Sequence, residues 1–162
     1  MKEKIVSLNE LKKIIRQQKK RGKIIVATGG CFDILHAGHV LYLEEAAKKG
    51  DVLVIFLNSD SSVRELKGNL RPIVPELERA VVLSALQCVD YICIFNESTP
   101  CRMIDEIHPD IFVKGGDYQG KTIAEMESVR KYNGKVEYVS LVNGCSTTNI
   151  INRIMSTRGE VI

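Results

Sequence analysis

Short apolar runs recur along this chain at 24–27, 52–57, 91–95, 111–113 and 136–142, each flanked by turn or charged residues. They lack the apolar–polar alternation of a strand with one wet face, so they read as strands buried on both sides. Between them, helical spacing of apolar positions occupies 8–20, 40–49, 76–88, 100–107, 122–132 and 147–156. Val81, Val82, Leu83, Ala85 and Leu86 give the 76–88 segment a wide apolar face. Strands of this kind separated by helices predict an α/β fold, a doubly wound parallel sheet in a three-layer α/β/α arrangement. No repeat, linker or low-complexity stretch interrupts the pattern. Residues 1–162 therefore read as one domain, with a helical N-terminal extension at 1–22 and a core at 24–155.

Composition narrows the class without naming a function. A chain of 162 residues can bury a full core. Hydrophobic residues at 44% and charged residues at 27% are ordinary for a globular protein. The net charge of +3 is too small and too dispersed to predict a nucleic-acid partner. Lys12, Lys13, Lys19, Lys20 and Arg21 cluster on the first helix, where a solvated face explains them. The odd count of five cysteines, without framework spacing, suggests a reducing compartment. No leader-like segment or membrane-length apolar run is present, so a cytoplasmic protein with no membrane partner is expected.

The chemistry concentrates in Gly29-Gly30-Cys31-Phe32-Asp33-Ile34-Leu35-His36-Ala37-Gly38-His39. The stretch follows one apolar run and opens a helical segment, so it reads as strand, glycine turn and helix. Glycine lets a backbone approach a ligand closely, and a helix N-terminus presents N–H groups and positive dipole to phosphate. His36 and His39 add imidazole donors at the same end, suited to charge developing on a phosphoryl group. The same pair could be structural, or could ligate a metal from one helix face. Metal ligation lacks support, because the one other histidine is His108 and no Cys-x-x-Cys pair exists. No protein-held metal is expected.

Gly30-Cys31-Phe32-Asp33-x-x-His36-x-Gly38-His39 resembles the signature of the His-x-Gly-His nucleotidyltransferases, in their cytidylyltransferase-like branch. Asn58-Ser59-Asp60, Lys67-Gly68, Arg71-Pro72-Ile73, Glu78-Arg79, Cys88-Val89-Asp90-Tyr91, Lys114-Gly115-Gly116-Asp117-Tyr118 and Ser146-Thr147-Thr148 follow in order. Together they are most similar to the adenylyltransferases of ADP-heptose synthesis, which act on D-glycero-β-D-manno-heptose 1-phosphate. The resemblance implies a Rossmann-like nucleotidyltransferase domain that transfers AMP from ATP to a sugar 1-phosphate and releases pyrophosphate, with Mg²⁺ accompanying the triphosphate. It implies catalytic roles for His36, His39, Lys67 and Lys114. Gly30, Cys31, Phe32, Arg71, Ser146, Thr147 and Thr148 join the histidines around the nucleotide. Asp33, Asp60, Gly116 and Asp117, with Lys67 and Lys114, fall to the acceptor. Lys67 and Arg71 are placed on a mobile loop over the phosphates, and a homodimer is implied. One departure stands out: the broader pattern ends in arginine where this chain has Ile151, with Arg153 two residues on.

Other readings compete. A cytidylyltransferase for glycerol 3-phosphate or another small polyol phosphate shares the His-x-Gly-His end. A silent nucleotide-binding module would keep affinity without turnover. Gly115-Gly116-Asp117-Tyr118-Gln119-Gly120-Lys121-Thr122 matches the P-loop pattern, yet only 40 residues follow it. That is too little chain for the rest of a P-loop domain. Ser146, Thr147 and Thr148 are also natural helix caps, and aspartates at 33, 60 and 117 could serve turns alone.

Overall fold

A computed structural model describes residues 2–140 and 144–157. Five parallel strands form one sheet in the order β3-β2-β1-β4-β5. They are β1 Ile25–Gly30, β2 Val52–Asn58, β3 Tyr91–Phe95, β4 Ile111–Gly115 and β5 Lys135–Val139. Every residue of β2 is buried, which is why its sequence is apolar from Val52 to Leu57 before ending at Asn58. The helices are α1 Leu8–Lys20, α2 Ala37–Ala47, α3 Asp60–Lys67, α4 Glu76–Ser84, α5 Cys101–Ile107, α6 Ala124–Arg130 and α7 Thr147–Thr157.

Two buried clusters flank the sheet. One gathers Leu11 and Ile15 of α1 and Met103, Ile104 and Ile107 of α5 against Ile25, Val54, Phe56 and Phe112. The other gathers Tyr42, Leu43 and Ala46 of α2 and Ala80 and Leu83 of α4 against Val26, Leu53, Ile55 and Val113. Adjacent strand residues, such as Phe112 and Val113, point to opposite clusters, as a pleated strand requires. The order reverses between β1 and β4, which opens a crevice at the C-terminal strand ends.

Several expectations need correction. Gly29 and Gly30 are not in a turn: they continue β1 in register with Phe56 and Leu57, and the turn proper starts at Cys31. The helix α3 was not expected. Its eight residues are largely polar, Ser59 caps it by accepting from the Ser62 amide at 3.2 Å, and Lys67 sits in its last turn rather than in a loop. The expected helix at 76–88 ends at Ser84, and β5 starts at Lys135. The expected strand residues 141–142 lie outside the described residues.

The N-terminal segment is part of the core rather than an extension. Ser7 and Glu10 form a capping box, with the Ser7 amide donating to Glu10 at 2.9 Å. Leu11 and Ile15 are fully buried, each contributing about 1.5–3 kcal/mol. Ile5 bridges to Ile92, and the Val6 amide donates to the Ile92 carbonyl at 3.0 Å, so this segment covers the exposed edge of β3.

Candidate active site

The crevice is shaped by the backbone between β1 and α2. Phe32 and Ile34 adopt left-handed conformations (φ 45° and 49°), a strain that non-glycine residues hold only where surroundings fix them. The Phe32 ring folds back so tightly that a β-carbon on Gly30 would lie 2.9 Å from it. Gly30 is needed for that approach. On its other side Phe32 meets the His39 ring, with centroids 5.2 Å apart.

His36 takes the N-cap position of α2 with no side-chain cap, and the first turn carries no acidic residue. The free amides and dipole of that turn therefore face no internal anion. The imidazoles of His36 and His39 stack at 3.8 Å, and the Nδ1 atoms of both are buried without a hydrogen-bond partner. Burial lowers the pKa of each. For His39, burial first and then His36 bring it to about 4, against an opposing pull from Asp33. Both rings are neutral near pH 7 and short of a partner. An anion in the crevice would supply one.

The start of α7 closes on the same point. A β-carbon on Gly38 would lie 2.9 Å from the Cys145 β-carbon, so α7 and α2 begin side by side. Ser146 accepts from the Asn149 amide at 3.1 Å, and Thr147 Oγ1 donates to the Asp33 carbonyl at 2.6 Å. Thr148 is exposed. Ser146 and Thr147 thus hold the helix and its position, with both N-termini converging on one space.

Asp33, expected at the acceptor or in a turn, is engaged within the protein. Its carboxylate is buried and accepts from the Ile73 amide at 3.0 Å, the Val74 amide at 2.9 Å and Arg71 Nε at 2.6 Å. Burial alone would raise its pKa, but the two amides and Arg71 bring it below the usual range. Asp33 anchors the 71–74 loop and holds Arg71 against the site. Asp60 is likewise engaged, accepting from Arg79 Nη2 at 2.8 Å. Asp117 is exposed on the short turn Gly116–Tyr118, and Gly116 passes close to the end of β5, where a β-carbon would lie 3.4 Å from the Val139 carbonyl.

The resemblance gives Arg79 no role, and the structure supplies one. Its buried guanidinium donates to the carbonyls of Val74 (2.8 Å), Cys31 (2.5 Å) and Asn58 (2.9 Å) as well as to Asp60. It ties the post-β1 turn, the end of β2 and the 71–75 loop together. The signal was an arginine on a helix face otherwise destined for the core. Burial pushes the Cys31 thiol pKa up, against the opposing pull of Lys67, Arg79 and Arg71, in that order. Those cations surround the turn.

Lys114 approaches from the opposite face of the sheet. It projects beside Phe112, pairs with Glu125 of α6 at 2.7 Å and lies 4.8 Å from the centre of the Tyr118 ring. Tyr42, also missed in the sequence, fixes α2 by donating to the Val113 carbonyl at 3.0 Å and sharing a 2.7 Å bond with Thr28. The P-loop-like stretch builds no phosphate cradle. The helix α6 starts at Ala124, beyond Thr122, without a side-chain cap, and Lys121 rests over Tyr118.

A parallel sheet of this order, with the His-x-Gly-His helix entering at its β1–β4 crevice, defines an α/β fold of nucleotidyltransferase type. Residues 27–153 match the Cytidylyltransferase-like family, and the chain belongs to it. It is 53% identical over 157 residues to "Bifunctional protein HldE" of Geobacter metallireducens, covering 97% of this chain and 32% of that protein. The protein of the same name from Pectobacterium carotovorum is 51% identical, covering 96% of this chain and 33% of the relative. The chain thus spans about a third of the length of the curated relatives it matches. Among solved structures it resembles the "lipopolysaccharide core biosynthesis protein" of Thermoplasma volcanium, with TM-score 0.61 and 36% identity over 75% of this chain and 98% of the other. Pantothenate synthetase of Thermus thermophilus shares the fold at TM-score 0.61 and 18% identity, covering 91% of this chain and 67% of that one. No helix among the described residues is long and apolar enough to cross a membrane.

Proposed function

We propose that this chain transfers AMP from ATP to a sugar 1-phosphate, D-glycero-β-D-manno-heptose 1-phosphate, giving ADP-heptose and pyrophosphate. The observation that carries the reading is the meeting of two helix N-termini over stacked histidines whose buried Nδ1 atoms lack partners. A buried polar atom left unsatisfied costs about 1–3 kcal/mol, and a triphosphate offers the missing partners. Relatives near 50% identity named HldE, and a structural relative named for lipopolysaccharide core biosynthesis, support the heptose acceptor over glycerol 3-phosphate.

In this reading an oxygen of the sugar phosphate attacks the α-phosphorus in line. The new P–O bond forms as the bond to the β-phosphate bridging oxygen breaks, and pyrophosphate leaves with the electron pair. The attacking phosphate is already ionised, so no general base is needed. His36 and His39 donate hydrogen bonds to α- and β-phosphate oxygens and become easier to protonate as negative charge gathers there. Arg71, held by Asp33, and Lys67, at the end of α3, offset charge over the phosphates. Lys114 meets the acceptor phosphate. Among the described residues no group of three or more His, Cys, Asp or Glu side chains could hold a metal ion. Magnesium accompanying the triphosphate would offset its charge there. A homodimer is part of the same reading, supported by the exposed apolar side chains of Leu77, Val81 and Val82 along α4.

Pyrophosphate release from a grid of ATP, CTP, GTP and UTP against α- and β-heptose 1-phosphate, glycerol 3-phosphate and no acceptor tests the reading. Release confined to ATP with the β-anomer is expected. CTP with glycerol 3-phosphate would replace the substrate assignment, and orthophosphate instead of pyrophosphate would replace the mechanism.

A further inference from the structure

Glu125 has no place in the chemistry above, yet it is among the few buried charged residues of those described. It lies in the first turn of α6, and its side chain is 7% exposed against 15% for Lys114, its ion-pair partner at 2.7 Å. A buried ion pair adds little net stability over a well-packed apolar pair, since desolvation offsets the attraction. Packing alone therefore does not call for one here. Its place is informative: Lys114 lies in β4 immediately beside the crevice, one residue before the strand ends.

The geometry points to Glu125 as the positioning residue that aims Lys114 at the acceptor phosphate. This rests on the functional reading above. An ammonium has three donors on a flexible four-carbon stem, so a free lysine would sample many positions. Glu125 draws the ammonium from the α6 side as an ion pair, while the rings of Tyr118 and Phe112 border it at 4.8 and 6.0 Å. Its N–H donors are there for an anion. His36 and His39 enter from the α2 face of the sheet and Lys114 from the α6 face, so donor and acceptor phosphates are gripped from opposite sides of one crevice.

Glu125→Gln is expected to raise KM for the sugar phosphate about tenfold, with KM for ATP within twofold. The effect should vanish in a Lys114→Met background, because Glu125 acts through that lysine. The exchange Lys114→Glu with Glu125→Lys separates aiming from stability: it keeps an ion pair between β4 and α6 but moves the cation. Near-parental Tm with acceptor KM still raised at least tenfold supports the proposal. Recovery of both Tm and acceptor KM in the exchange would show a structural pair and overturn it. So would an unchanged acceptor KM in Glu125→Gln. If the parent releases no pyrophosphate anywhere in the grid, the functional reading fails first and takes this proposal with it.

Discussion

Two turns follow apolar strands in this chain, and each belongs to a stretch that spells a phosphate motif. After β1 the turn is packed: Phe32 and Asp33 are buried, α2 begins at Ala37 directly behind His36, and α7 abuts it. After β4 the stretch Asp117–Lys121 is exposed, Gly120 has open space around it, and α6 waits until Ala124. A phosphate site needs backbone amides fixed toward one point. The first turn has that because long-range bonds fix it, from Arg79 to the Cys31 carbonyl and from Thr147 to the Asp33 carbonyl. The second matches the letters of a motif without the helix start that gives them meaning.

The contrast can be broken at several points, and the largest effect belongs to His39. His39→Ala should lower kcat at least a hundredfold with an intact circular dichroism spectrum, since a preorganised donor to developing charge is worth roughly 3–4 kcal/mol. Turnover within threefold of the parent would remove the first turn from the chemistry. Asp33→Asn should release Arg71 and the 71–74 loop, costing roughly 2–3 kcal/mol in denaturant unfolding and raising KM for ATP. A variant with parental stability would show that the anchor is dispensable.

Acid should act through the same turn. The folded pKa of His39 is held at about 4 against an ordinary 6.5, so between those values the unfolded chain binds more protons than the folded one. Stability from this group is full above pH 6.5 and is lost as pH falls toward 4, by up to about 3 kcal/mol. His39→Gln should flatten the dependence of Tm on pH across that window, and saturating MgATP should shift the midpoint downward. A pH profile identical in parent and variant would count against a buried neutral imidazole.

Changes in the second turn should be mild. Gly120→Ala meets no neighbour but must hold φ near +81°, costing about 1–2 kcal/mol in Tm-derived stability with activity retained. Lys121→Ala should be smallest of all, with turnover within severalfold of the parent. A collapse there would restore the P-loop reading that the geometry of α6 argues against.

Much of this was legible along the chain. The expected strands overlap β1 to β5, and the expected helix at 8–20 coincides with α1. Apolar runs and helical spacing report burial directly. The missed helix α3 is eight mostly polar residues, held by its Ser59 cap and by a hydrogen bond from the Asp60 amide to the Glu76 carboxylate rather than by an apolar face. The glycines of β1 were misplaced because glycine ordinarily marks a turn, whereas here Gly30 makes room for a neighbouring ring. Among the polar residues, the histidines sit where the motif placed them. Asp33 and Asp60, which the sequence leaves between the acceptor and turn duties, pair with Arg71 and Arg79.

Sequence alone determined the α/β alternation, the strand behind the glycines and the two histidines at a helix entry, because each depends on neighbours within a few residues. Only the tertiary structure decided that α7 meets α2, that Arg79 binds three segments, and that Glu125 holds Lys114. Those partners lie far apart in the chain, as Thr147 and Asp33 do at 114 residues, or on different elements. Pairing across such separations is chosen by the packing of the sheet and its helices. No local pattern of residue types encodes which carboxylate a buried cation will meet.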